Sequence, residues 1–296
     1  HDSFFALKHK KNKKIGYIID RIIKTSKDIS IVKKLSLESQ KILTNVTRDL
    51  LSTTEPSSKT KFNLKSNVIA EINTIADSDL PRYLVHRYRY EIFPLTKTID
   101  NFPPYLLIEP TSICNYRCVF CFETDKTFTN KKNGYMGQMK LDLFKKIIDQ
   151  AENNIEFLSI ASRGEPLVCK EIVPMFKYTE GKFLNLKLNT NASLLNENSC
   201  HAILSGGVKT VVFSADAADA KLYSKLRVNG DLNKVLKNIE LFKISQKIKR
   251  ITNCKINYTS QNKLVKEPII NINRIKQEFN FKPQKNLISS LEEIII

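Results

Sequence analysis

The chain has 296 residues, of which 42% are hydrophobic, enough for one large domain or two modest ones around a substantial core. It contains no run of about 18 apolar residues, which excludes a transmembrane helix. The formal net charge is +18, from 48 basic and 30 acidic side chains. A nucleic-acid partner is one implication of that surplus. The lysines are interleaved with Ile and Asn along the whole chain, however, and only residues 8–14 form a dense cluster, so a compositional bias gives the same balance.

The chain begins at His1, as a processed chain or a fragment would, and residues 1–14 are basic and lack the apolar core of a secretory signal. Residues 1–79 are expected to form a basic, mainly helical leader. Ile31, Leu35, Leu37, Ile42, Val46 and Leu50 give a loose helical stripe. The Ser/Thr/Pro/Lys patch at 52–61 marks a loop or linker. Residues 81–90 mix aromatics with arginines, a pattern able to stack on bases but expected here as an approach segment packed beside a barrel, with His86 structural.

From residue 104 strands and helices alternate. Strands are expected at 105–109, 155–161, 184–190 and 208–215, with a fifth at 251–258. Apolar spacing predicts helices through Leu141, Phe144, Ile147, Ile148 and Ala151, over 172–178 and 197–204, and through Leu232, Val235, Leu236, Ile239 and Phe242. Gly206-Gly207 fits the C-terminal cap of the third of these. Such repetition means parallel strands joined by crossovers, hence the α/β class, as a barrel or an open sheet.

In both architectures the working residues lie at the carboxyl ends of strands. Directly after the first strand stand Cys114, Cys118 and Cys121, in the spacing C-x3-C-x2-C. Three soft thiols within eight residues suit an iron-sulfur cluster or zinc. No fourth ligand stands nearby, which points to a centre with an open position rather than a closed structural one. Ser162-Arg163-Gly164-Glu165-Pro166-Leu167 follows the second strand, Asn189-Thr190-Asn191-Ala192 the third, and Ser214-Ala215-Asp216 the fourth. Polar residues at four successive strand ends would converge on one mouth. Cys169, Cys200 and Cys254 are scattered, more like buried apolar thiols than a disulfide framework. That usage points to a reducing compartment, by default the cytoplasm.

Over roughly residues 80–250 these motifs resemble the radical SAM superfamily, in particular members related to the SPASM and twitch groups. The cysteine loop is similar to the family's cluster motif, with Phe120 at the usual aromatic position before the last cysteine. Gly164-Glu165-Pro166 resembles the second motif, though Arg163 stands where many members have glycine. Asn189-Thr190-Asn191 resembles the third, with Ala192 in place of a common glycine. Ser214, Asp216 and the segment from Tyr223 to Arg227 resemble the fourth-strand region.

The resemblance implies a partial (β/α) TIM-like barrel, incomplete at its C-terminal end, spanning 80–250, with residues 251–296 as a last strand and an anomalous tail. It implies that Cys114, Cys118 and Cys121 bind three irons of a 4Fe-4S cluster, and that S-adenosylmethionine chelates the fourth. One electron on the cluster then cleaves the sulfonium, giving a 5′-deoxyadenosyl radical that abstracts hydrogen from substrate. Among the implied cofactor-binding residues, Glu165, with Gly164 and Pro166 around it, would face the methionyl ammonium. Phe120 would lie near the adenine. Asn191, Ser214 and Asp216 are candidates for the ribose or carboxylate, and Arg227 for the carboxylate or a solvated salt bridge. The implied partners are a one-electron donor such as flavodoxin or ferredoxin and a small-molecule or peptide substrate. The alternatives are an RNA-modifying member and a truncated, non-catalytic iron-sulfur protein. With no cysteine beyond Cys254, a cysteine-rich C-terminal domain is not expected. Residues 279–296 weakly resemble the C-terminus of nucleotide-sugar epimerases and dehydratases, but no glycine-rich dinucleotide loop accompanies them. The Tyr178-x3-Lys182 spacing is read as chance.

Overall fold

The computed structural model describes residues 4–52, 60–161 and 163–252, with side chains described for 15–52, 60–161 and 163–246. The chain divides into two units at Ile256, and the second, Asn257–Ile296, lies outside the described residues together with the expected tail motif and Cys254.

Five helices open the chain: α1 (Phe4–Lys27), α2 (Ile29–Val32), α3 (Leu37–Leu51), α4 (Ser66–Ile72) and α5 (Leu80–Thr96). They share a core in which Ile18, Ile22, Leu43, Val46, Val68, Ile72 and Leu84 are buried. The helical stripe from Ile31 to Leu50 is not one continuous face. It breaks after α2, and Ser36 restarts the helix by accepting a hydrogen bond from the Ser39 amide at 3.2 Å, which leaves Leu37 exposed in the first turn.

α5 joins this layer to the sheet. Its Arg82 donates twice to Glu156, at 2.8 and 2.6 Å, and Arg89 donates to Asp100 and to the Asn154 carbonyl. His86 stacks on Phe157 with ring centroids 4.2 Å apart. Burial, helped by Arg87 and Arg89, pushes the His86 imidazole down to about 3, so it is a neutral packing group.

The remainder runs β1 (Tyr105–Ile108), β2 (Arg117–Cys118), α6 (Lys126–Thr129), α7 (Leu141–Ala151), β3 (Phe157–Ile160), α8 (Ile172–Tyr178), β4 (Asn185–Thr190), α9 (Glu197–Ser205), β5 (Val208–Phe213), α10 (Ala220–Leu226), β6 (Arg227–Val228) and α11 (Leu232–Thr252). Strands β1, β3, β4 and β5 are parallel and adjacent in that order. Ile108, Ile160 and Leu188 lie side by side and, with Leu158 and Leu186, pack under Phe144 and Ile148 of α7 and Phe176 of α8. This is an α/β fold whose strands and outer helices form an arc consistent with a partial TIM-like barrel. α9 ends at Gly206, and Gly207 takes the left-handed conformation (φ +82°) that stops a helix.

Two expectations need correction. Ile251 and Thr252 continue α11, so no strand begins at 251, and residues 253–258 lie outside the described residues. Leu236 faces outward at 50% exposure, while Leu232, Val235 and Phe242 are buried.

Candidate functional site

Because the four strands run parallel, their carboxyl ends open on one edge. A cavity of about 210 Å³ opens there to solvent. All three motif cysteines line it, with Phe120, Arg163, Gly164, Glu165, Asn189, Asn191, Ser214 and Arg227. Pro166 and Asp216 do not line it. Pro166 is buried in the short turn Pro166–Val168, and Asp216 is ion-paired to Arg227.

The first two motifs are locked together by backbone. A Cβ on Gly164 would collide with the Thr111 carbonyl and come within 2.8 Å of the Ile113 amide and carbonyl, while the Glu165 amide donates to the Ile113 carbonyl at 3.0 Å. The turn after β3 therefore lies directly on the chain that leads into the cysteine loop, and only glycine fits there. Arg163, the departure from the family pattern, pairs bidentately with Glu109 at the end of β1 (2.8 and 3.0 Å) and lies 4.7 Å from the centre of the Phe128 ring. It fastens the same two strand ends from the outer side.

Glu165 is 3% exposed. Its carboxylate accepts from the Thr190 hydroxyl at 2.6 Å, the Asn191 amide at 2.7 Å and the Leu167 amide at 3.1 Å. Burial pushes its carboxyl above the usual range, against the pull of those donors. All three donors are neutral, and a carboxylate accepts about four hydrogen bonds. One acceptor position thus remains for a donor in the cavity, and a cationic donor would favour the ionised carboxylate.

Asn191 connects the third strand end to the cluster loop. Its side-chain Nδ2 donates to Asn115 Oδ1 at 3.0 Å, and Asn115 Nδ2 donates to the Ser193 hydroxyl at 2.8 Å. Ala192 has φ +61°, in the left-handed region that favours glycine.

The thiols are buried or half-buried. Burial pushes Cys114 up to about 11 and raises Cys118, where the Arg227 charge pulls the other way. Metal binding by Cys114 and Cys118 therefore has to displace their protons. Among the described residues no three His, Cys, Asp or Glu side chains are grouped tightly enough to hold one ion. Three thiols lining a shared cavity suit a polynuclear cluster, whose thiolates each bind a separate iron. Cys169 and Cys200 are buried away from the cavity, with thiols raised by burial, Cys200 to about 12. Tyr178 and Lys182 are bonded to Asp149 and Glu152 respectively, also outside the cavity. The contributions of Glu109 and Asn115 are not marked by any motif in the sequence. Glu109 ends β1 and Asn115 is a spacer position of the cysteine motif, and their partners lie more than 50 residues away.

A parallel α/β arc with cysteines and a buried carboxylate at its carboxyl-end mouth defines a metallocofactor-binding protein. The family model that matches residues 108–271 is that of the radical SAM superfamily, and the chain belongs to that superfamily. Its members use a 4Fe-4S cluster and S-adenosylmethionine. Similar curated proteins include the tungsten-containing aldehyde ferredoxin oxidoreductase cofactor-modifying protein of Pyrococcus furiosus, 32% identical over 114 residues, 38% of this chain and 30% of that protein. A GTP 3',8-cyclase of Clostridium botulinum is 30% identical over 143 residues, 46% of this chain and 42% of the cyclase. The chain thus spans less than half the length of these relatives. Among solved structures, Streptococcus suis SuiB bound to S-adenosylmethionine aligns with a TM-score of 0.43 and 23% identity, over 60% of this chain and 40% of SuiB. Among the described residues no helix is long and apolar enough to cross a membrane.

Proposed function

We propose that the protein is a radical SAM enzyme in which Cys114, Cys118 and Cys121 hold three irons of a 4Fe-4S cluster and S-adenosylmethionine completes the fourth. When bound, this pair supplies reductive cleavage of the sulfonium and a radical able to abstract hydrogen; the protein supplies placement and shelter. The observation that carries the proposal is the shared cavity, in which the three motif thiols and the buried carboxylate of Glu165 line one space.

Glu165 would take the methionyl ammonium in its one remaining acceptor position, a charge-assisted bond in a site of low exposure. Gly164 keeps that carboxylate against the cluster loop by admitting close backbone approach. Phe120, with its ring exposed at the mouth, offers a face for the adenine. Asn191 and Ser214 line the same space and would meet the ribose or carboxylate, while Asp216 acts through Arg227 rather than by contact. The substrate is a small molecule or peptide, and the cluster's electron comes from a low-potential donor of the flavodoxin or ferredoxin type, in the cytoplasm.

The test is anaerobic reconstitution with iron and sulfide, followed by dithionite and S-adenosylmethionine. Formation of 5′-deoxyadenosine and methionine is expected. A folded, cluster-loaded protein that forms neither overturns the assignment of turnover.

A further inference from the structure

We infer that Arg227 sets the reduction potential of the cluster by donating a hydrogen bond to the Cys118 thiolate. The inference rests on the proposed cluster ligation but concerns a contact made by the chain's own residues. β2 and β6 pair antiparallel with Cys118 directly opposite Arg227, and the Val119 amide donates to the Leu226 carbonyl at 2.9 Å. Residues directly opposite in such a pair project to the same face. The ribbon thus holds the guanidinium on the sulfur across 109 residues of sequence, with Nη1 3.7 Å from Cys118 Sγ.

The side chain has little freedom to do anything else. Arg227 is 7% exposed, its other terminal nitrogen is ion-paired to Asp216, and its guanidinium carbon lies 5.7 Å from the centre of the Phe120 ring. The backbone is fixed as well, because a Cβ on Gly230 would come within 2.6 Å of the Arg227 carbonyl and 2.9 Å of the Tyr223 ring. Arg227 Nε is buried with no hydrogen-bond partner among the described residues, and the residue lines the cavity. A guanidinium cannot lose its proton at working pH. A buried one prefers an anionic acceptor, and a thiolate coordinated to iron is such an acceptor.

The step affected is the addition of one electron to the oxidised cluster by the low-potential donor. No bond forms or breaks, and the cluster with its thiolates gains one negative charge. A fixed donor and positive charge at Cys118 stabilise the more negative, reduced form and so raise the potential. Asp216 opposes this by neutralising part of the guanidinium charge. Arg227 is therefore a positioning residue for the electron-accepting cluster, and Asp216 sets how much of its charge the cluster experiences.

The experiment is a redox titration, followed by electron paramagnetic resonance, of reconstituted wild type, Arg227→Gln, Arg227→Lys and Asp216→Asn, each with its iron and sulfide content measured. For Arg227→Gln the ratio of reduced to oxidised cluster at a fixed applied potential falls about tenfold, a shift of about 59 mV for one electron. Arg227→Lys retains part of the wild-type ratio, and Asp216→Asn raises it. If Arg227→Gln does not fold, the upward shift in Asp216→Asn decides alone. Full iron content with the ratio unchanged within twofold in the Arg227 and Asp216 variants overturns the role of Arg227 while leaving the cluster in place. A wild type that takes up no cluster overturns both.

Discussion

The two ends of the parallel sheet are built on opposite principles. At the amino end, the charges that meet the sheet are closed into pairs: Arg82 with Glu156 and Arg89 with Asp100. At the carboxyl end, buried polar groups stand open. Glu123, 1% exposed, meets Arg117 at 3.5 Å but accepts no hydrogen bond at either oxygen among the described residues, and Asn189 Oδ1 and Arg227 Nε lack hydrogen-bond partners there. Glu165 accepts hydrogen bonds from neutral donors, and burial raises its carboxyl above the usual range. Unsatisfied buried groups each cost stability, typically about 1–3 kcal/mol, so a cluster of them at one end marks where a ligand completes the structure. Stability resides at the amino end of the strands and chemistry at the carboxyl end, the division seen in β/α barrels generally.

The sharpest way to break this contrast is Gly164→Ala. The added methyl has no space between the turn after β3 and the backbone at Thr111 and Ile113. Iron uptake on reconstitution should fall at least tenfold while far-ultraviolet circular dichroism stays native; normal uptake would show that the mouth is not rigidly held. The matching change at the amino end is Arg82→Met, which strands the buried Glu156 carboxylate. Its expected cost is about 3 kcal/mol of stability in urea unfolding, with iron content per folded chain unchanged. A loss of iron there would mean that the two ends are not independent.

Smaller effects refine the comparison. Glu165→Gln keeps much of the shape but removes the charge, and should weaken S-adenosylmethionine binding to the reconstituted protein by about ten- to a hundredfold, the worth of a hydrogen bond to a charged group. Iron content should hold. At the opposite end, His86 is neutral in the folded state to about 3, whereas the unfolded chain protonates it near 6.5. Above pH 6.5 neither state takes the proton. Below it the unfolded state gains one that the folded state refuses, so stability falls by about 1.4 kcal/mol per pH unit as the pH drops toward 3. Replacing His86 with Phe should remove that slope, measured as urea midpoints at pH 7 and pH 4.5.

What was legible in the sequence follows the range of the forces involved. Local periodicity marked α7 and α8, whose apolar faces repeat within a few residues. The end of α9 was legible because a glycine pair leaves few alternatives. The loose leader stripe marked helix but not its break, which Ser36 makes by capping α3. A strand was expected from 251, but the helix begun at Leu232 runs on through Thr252.

At the site, the short motifs named the cysteines, Gly164, Glu165, Asn191 and Ser214, all of which line the cavity. What they did not convey was pairing at a distance. Asp216 was expected as a cofactor contact but is bound to Arg227, and Arg227 is itself placed by a ribbon that links two remote segments. Arg163 looked like a defect in the second motif until Glu109 supplied its partner across 54 residues. Such contacts leave no periodic trace in one sequence.

The central claim is that the cysteines at the carboxyl-end mouth, and not the buried ones elsewhere, hold the cluster. Iron and sulfide content with electron paramagnetic resonance after reduction, compared for wild type, Cys118→Ala and the double variant Cys169→Ala/Cys200→Ala, tests it most directly. About four irons per chain, and a reduced-cluster signal altered by S-adenosylmethionine, are expected in the wild type and the double variant, with both lost in Cys118→Ala. Unchanged iron and signal in Cys118→Ala, or their loss in the double variant alone, would contradict the account.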